Sequence, residues 1–327
     1  MQYTFGLSAS AAMAARHRAS PRVDWSHGDP QWQSATRSAG ACASARAAAA
    51  SGGTPTYARP KCVGPIAPLD DEPLRTDIAN FAAALRACGR EGRGFMNAAS
   101  PGVIALFQPN EYYDSYRAYL EAIAEAMRPE YEAIVEAGFV LQIDSPDLGL
   151  GRHMMFKDRT DREYQELAHL HVDVLNHALR NVPAERMRLH VCWGNYEGPH
   201  HCDAPLELVL PIALRAKPQA LLFESSNPRH AHEWTVIRDT PIPEDKILVP
   251  GVIDSVTNFI EHPLLVAERI ERFAAIVGRD RVMAGTDCGF GTFAGFGRVD
   301  AQIVYAKLGA LVEGAQIATR RLWRRSA

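Results

Sequence analysis

The run Met187-Arg188-Leu189-His190-Val191-Cys192 closes on a histidine and a cysteine one residue apart, and Trp193-Gly194-Asn195 follows. In a β-strand, residues i and i+2 share a face, so His190 and Cys192 project together. One imidazole nitrogen and one thiolate are half of the donor set of tetrahedral zinc. Two later runs supply further candidates. Leu221-Leu222-Phe223-Glu224 ends in a carboxylate, and Arg281-Val282-Met283-Ala284-Gly285-Thr286-Asp287-Cys288 ends in a cysteine. All three place a ligand type at the C-terminal end of a predicted strand, the edge on which (β/α)8 barrels assemble their active sites.

Working outward, short apolar runs alternate with long amphipathic ones from Pro60 onward, the signature of β-α repeats around a parallel sheet. Strands are predicted near Cys62–Ile66, Gly94–Ala98, Phe139–Ile143, Arg188–Cys192, Ala220–Phe223, Ile247–Val252 and Val282–Ala284. Helical spacing predicts helices over Asp71–Cys88, Asn110–Ala137 (one bent helix or two), Asp161–Arg180, Asp203–Arg215, Pro263–Val277 and Asp300–Thr319. The fold class expected is a TIM-type (β/α)8 barrel. Seven predicted strands against eight make it incomplete at the N-terminus, and the missing strand should precede Cys62.

The chain has 327 residues and a formal net charge of -3. That balance gives no electrostatic footprint for nucleic acid or an anionic membrane surface, and no apolar run approaches the ~20 residues that span a bilayer. The six cysteines are scattered rather than arranged as a disulfide framework, so a cytoplasmic location is expected. Residues 1–56 are rich in Ala, Ser and Arg and are read as an atypical low-complexity leader. Residues 57–327 are read as the barrel domain.

Residue pattern alone leaves two readings of the histidine and cysteines open. They hold zinc through His190, Cys192, Glu224 and Cys288, or they simply pack, since free cysteine is often buried. Asp203, ahead of Ala204-Pro205, reads as a helix N-cap. Asp144 ends an apolar run and is either a cap or a carboxylate aimed at the pocket, where a substrate ammonium would suit it. The polar loop Asn227–Trp234, with Arg229, suits an acidic substrate or is an ordinary solvated loop.

His-Val-Cys-Trp-Gly-Asn at 190–195, Phe-Glu-Ser-Ser-Asn-Pro-Arg-His at 223–230, Pro-Gly-Val-Ile-Asp-Ser at 250–255 and Ala-Gly-Thr-Asp-Cys-Gly-Phe at 284–290 resemble the cobalamin-independent methionine synthase family. The resemblance is strongest to its single-domain members and runs from about Lys61 to the C-terminus. It implies a barrel with a catalytic zinc on His190, Cys192, Glu224 and Cys288. It further implies methyl transfer from a methyltetrahydrofolate to the thiol of homocysteine. Asp144 matches the aspartate that binds the substrate amino group and Asp254 the aspartate of the Gly-Val-x-Asp motif, both counted as catalytic. Asp144, Trp193, Asn195 and Arg229 are the expected substrate contacts. The partners implied are a small-molecule thiol and a methyl or alkyl donor.

Two departures stand out. The large enzymes of that family carry a histidine two residues after the Gly-Val-x-Asp aspartate as proton donor, whereas Asp254 is followed by Ser255 and Val256. This leaves room for the related epoxyalkane:coenzyme M transferase chemistry, in which a zinc-bound thiolate opens an epoxide. The family's opening Gly-Ser-Phe/Tyr-Pro strand and the acidic strand after it are not recognisable in residues 1–60, so catalysis is expected to be impaired unless the leader substitutes for them. A metal-free barrel of the uroporphyrinogen decarboxylase type and an inactive relative that keeps the zinc motif are the competing readings.

Overall fold

The computed structural model describes residues 60–323 except 69, 197, 294, 295 and 298. The missing strand expected ahead of Cys62 and the 1–56 leader therefore lie outside the described residues. Strands β1 (Phe95–Ala99), β2 (Val140–Asp144), β3 (Met187–His190), β4 (Ala220–Phe223), β5 (Ile247–Ile253) and β6 (Gly285–Thr286) form one sheet in sequential order. Every pairing is parallel. Sequential parallel order with helical crossovers is barrel topology, and six strands make it an open half-barrel among the described residues. The hairpin of β7 (Gly291–Phe293) and β8 (Phe296–Gly297) follows Cys288.

The helices between strands are α1 (Glu72–Ala87), α2 (Pro101–Phe107), α3 (Tyr116–Glu136), α4 (Gly151–Met154), α5 (Asp161–Ala178), α6 (Leu206–Ala213), α7 (Trp234–Asp239), α8 (Pro263–Val277) and α9 (Ala301–Leu322). Helix α3 is one continuous helix that carries Pro129 inside it. Helices α2 and α7 are too short for periodicity to reveal and were not expected. Helix α5 starts on a capping box, in which Thr160 Oγ1 accepts from the Glu163 amide and Glu163 Oε2 accepts from the Thr160 amide. None of these helices is long and apolar enough to cross a membrane.

Strand alternation sorts side chains to two faces. Leu141, Ile143, Leu189, Val191, Leu221, Phe223 and Leu248 point outward into the main core under the helices. Burying one such side chain contributes roughly 1.5–3 kcal/mol. The opposite parity points into the lumen. There Ala220, Leu222 and Val249 pack with Ile247 and Met283 as a separate small cluster, while β2 and β3 present Gln142, Asp144, Arg188 and His190.

Two strand expectations need correction. Cys62–Ile66 is not a strand: only Cys62 bridges to Asn110, through bonds with Pro109 and Glu111. Pro65 and Pro68 lack donors for a ladder, and Val63 is largely exposed. The last strand is broken, with a bridge from Val282 to Leu248 and resumed pairing only at Gly285–Thr286.

Candidate metal centre

Strand β3 delivers His190 to the upper lumen, and the chain continues past it to Cys192. Cys288 arrives two residues after β6. The ligand atoms of His190, Cys192 and Cys288 all lie within 4.8 Å of one another, and the two sulfurs are 3.4 Å apart. His190 and Cys192 are buried. His190 Nδ1 meets Asp144 Oδ1 at 3.0 Å, while its Nε2 is buried with no hydrogen-bond partner. An unpaired buried imidazole nitrogen is costly, and beside two thiols it is the arrangement that a soft, nitrogen-accepting cation relieves. The residues present therefore fit zinc.

Two backbone features of Gly194 prepare Cys192. Gly194 adopts φ 102°, a conformation natural to glycine, and its amide donates to Cys192 Sγ at 3.2 Å. The neighbouring Cys288 thiol and then burial push the Cys192 thiol well above its ordinary value. Two thiolates this close need a cation between them.

Glu224, the fourth expected ligand, stands outside this three-donor group. It is buried, with Oε1 accepting from the Trp193 amide at 2.9 Å and Oε2 from Asn227 Nδ2 at 2.9 Å. Burial, then the proximity of Cys192 and Asp287, pushes its carboxyl well above the usual range. Asp287 fastens the loop that carries Glu224. Its carboxylate accepts from the amides of Ser225, Ser226 and Asn227 and from Asn227 Nδ2 at 2.8–3.0 Å. Gly251 on β5 makes room, because a Cβ there would sit 2.0 Å from Asp287 Oδ1.

The remaining expected residues divide. Asp144 is at the centre, with its oxygens also accepting from Asn97 and Gln142. Burial opposes its charge, but the bonds from His190, Asn97 and Gln142 outweigh that and hold its carboxyl low. Trp193 is fully buried, bonded through Nε1 to the Ala204 carbonyl and packed in a tilted ring contact on His230, so its amide rather than its indole reaches the site. Asn195 ties the two cysteine loops together, donating to the Gly289 carbonyl. Asp254 is buried and its Oδ1 accepts from the amides of Val256 and Thr257. Arg229 is exposed, and its amide donates to Asn227 Oδ1. His262 is occupied as the N-cap of α8, accepting from the Leu264 amide.

Asp203 is not the N-cap of α6: Pro205 holds that position without a side-chain cap, and the Leu206 amide is satisfied by Glu233 Oε1 instead. Asp203 instead meets His200 at 2.7 Å and His230 at 3.1 Å, and His230 meets Glu233 at 2.7 Å. This buried network, and Arg188 in the lumen, are the parts of the site that local sequence did not reveal. Arg188 packs its guanidinium 3.4 Å over the Phe95 ring and donates to Gln142. Burial lowers it to about 9, so it remains cationic near neutral pH.

The architecture defines an α/β protein of the TIM-barrel type whose strand ends converge on a His-Cys-Cys donor set. No protein-family profile matches the chain. It is 25% identical over 279 residues to a methionine synthase of Saccharolobus solfataricus, covering 84% of this chain and 71% of that protein. It is 28% identical over 250 residues to the 2-hydroxypropyl-CoM lyase of Xanthobacter autotrophicus, covering 68% and 61%. A methionine synthase of Saccharolobus islandicus is 26% identical over 232 residues, covering 69% and 58%. The solved structure of a B12-independent methionine synthase from Shewanella sp. W3-18-1 in complex with selenomethionine shares the fold, with a TM-score of 0.55 at 19% identity over 74% of this chain and 67% of that one. The chain is thus a homologue of proteins named methionine synthase and 2-hydroxypropyl-CoM lyase, and for the second and third of these it spans less than two thirds of their length.

Proposed function

We propose that this protein is a zinc-dependent thiol methyltransferase, moving a methyl group from 5-methyltetrahydrofolate to the thiol of homocysteine to give methionine. The observation that carries the reading is the donor set. His190, Cys192 and Cys288 converge, while Glu224 is held back on Trp193 and Asn227. Three protein donors with a fourth position open to exchange is the pattern of catalytic rather than structural zinc. Zinc, when bound, supplies the Lewis acidity that keeps a substrate thiol ionised at neutral pH without redox chemistry.

The chain's own residues do the rest. Asp144 accepts from His190 Nδ1 and so keeps Nε2 free as a donor. It also offers a carboxylate to a substrate ammonium. Asp287 and Asn227 hold the Glu224 loop, so that carboxylate can serve as the ligand that exchanges with substrate sulfur. Homology to methionine synthases supports methyl transfer as the reaction.

A second reading is favoured by one observation: no histidine stands two residues after Asp254, where Val256 donates its amide to Asp254 Oδ1. A methyl on a tertiary amine needs a proton delivered to the leaving nitrogen. Alkyl transfer to a thiol such as coenzyme M, with epoxide opening, makes a different demand, and the lyase homologue supports it. Metal analysis of purified protein, followed by assays with methyltetrahydrofolate and homocysteine and with epoxypropane and coenzyme M, separates the two. About one zinc per chain with methionine formation supports the first. Zinc with only thioether formation from the epoxide supports the second. A folded protein without zinc sinks both.

A further inference from the structure

A line of hydrogen bonds runs through the lumen from Arg188 to His190. Arg188 Nε donates to Gln142 Oε1 at 2.8 Å. Gln142 Nε2 donates to Asp144 Oδ1 at 2.7 Å. Asp144 Oδ1 meets His190 Nδ1 at 3.0 Å, and Asn97 Nδ2 donates to Asp144 Oδ2 at 2.8 Å. Strand register builds this line, because Gln142 pairs with Arg188 and Asp144 with His190 across β2 and β3. Arg188 is buried against Phe95 and, among the described residues, makes no ion pair with a carboxylate.

A pure donor at one end and a pure acceptor near the other fix the direction of every bond between them. A guanidinium only donates, so the Gln142 amide must turn its oxygen to Arg188 and its NH2 to Asp144. The Asp144 carboxylate only accepts, so His190 Nδ1 carries the hydrogen. Nε2, buried with no hydrogen-bond partner, is left as the unprotonated nitrogen available to a metal. Without a donor at position 188 the buried Gln142 carbonyl loses the partner that anchors it, and the amide is held only through its NH2 on Asp144. We propose that Arg188 is a positioning residue that anchors Gln142 and, through it, the Asp144 carboxylate, so that His190 is held with Nε2 presented to the metal. The inference rests on the zinc reading of the site.

The test is Co(II) titration of the full chain against a competing chelator, with urea unfolding measured in parallel. Wild type, Arg188→Met, Arg188→Lys and Gln142→Met are compared. Groups that orient a metal-bound imidazole are typically worth about 10- to 100-fold in metal affinity. Arg188→Met is expected to lose affinity in that range, Gln142→Met to lose a similar amount, and Arg188→Lys, still a pure donor, to recover most of it. A purely structural role for Arg188 would lower stability with no rescue of affinity by lysine. Should Arg188→Met fail to fold, Gln142→Met decides, since it cuts the same line while keeping the cation. Unchanged Co(II) affinity in the folded variants overturns the inference and leaves the zinc reading intact. A wild type that binds no Co(II) overturns both.

Discussion

Cys192 Sγ and Cys288 Sγ lie 3.4 Å apart although the residues are separated by 96 positions in the chain. Two thiols so placed either share a cation or are poised to couple. Metal removal is therefore expected to expose a reactive pair. After chelation, diamide should join them as a disulfide, losing two hydrogens to the oxidant, and the metal-loaded protein should resist. Intact mass and thiol titration read this directly. Equal oxidation with and without metal would argue that the sulfurs do not hold it. The double variant Cys192→Ser, Cys288→Ser should retain the fold and lose the metal.

Asp287 makes a second prediction. Its buried carboxylate accepts four hydrogen bonds from Ser225, Ser226 and Asn227. Burial raises its pKa and the bonds oppose that shift. Asp287→Ala would leave those donors unsatisfied, at a cost of about 3 kcal/mol or more, and release the Glu224 loop. Urea unfolding should show the stability loss, and Co(II) affinity should fall with it. A variant as stable as wild type would show that the loop is held by other means.

The third prediction concerns Gly251. A Cβ there would meet Asp287 Oδ1 at 2.0 Å and Asp287 backbone atoms at 2.6 and 2.8 Å. Backbone cannot step aside as a flexible side chain can, so Gly251→Ala should destabilise by about 1–3 kcal/mol or more. Gly278→Ala is a different kind of control, because no atom lies within 4 Å of its Cβ and its cost is conformational, at φ 91°. A Gly251→Ala protein with wild-type melting temperature would contradict the packing described.

Period-two alternation made the lumen-facing donor candidates readable. His190 and Cys192 are two apart, and Glu224 and Cys288 close their own apolar runs. What stayed hidden depended on partners far along the chain. Asp203 mimics a cap through its local Asp-Ala-Pro, yet its carboxylate belongs to His230, 27 positions away. Arg188 reads as one polar residue in an apolar run until Gln142, 46 positions back, shows where its hydrogen bond goes. Asp287 reads only as the neighbour of Cys288, because its partners are 60 to 62 positions distant. At Cys62–Ile66 the apolar pattern suggested a strand, but Pro65 and Pro68 remove the donors that pairing needs.

The His230 network makes the last prediction, through pH. The ring packs at a tilt against Trp193, centroids 4.7 Å apart, and is held by Glu233 and Asp203. His200 and His153 face the same Asp203 carboxylate, and Glu224 lies near enough to act on the ring. Burial opposes a charge on His230. The hydrogen bonds to Asp203 and Glu233 outweigh it and push the imidazole from 6.5 up to about 10. A group whose pKa rises on folding stabilises fully below its unfolded value and loses that contribution as pH climbs through the folded one. The network should therefore support the fold at pH 6, weaken progressively above that, and contribute little beyond about pH 10. Asp203 works in the other direction: burial opposes its charge, but His200 and His230 hold its carboxyl low, so its contribution fades only as pH falls well into the acid range. Unfolding free energies of wild type and His230→Gln between pH 6 and pH 10.5 test this, because their difference should shrink as pH rises. A difference that stays constant across that range would mean His230 is neutral in the folded protein and acts through packing on Trp193 alone.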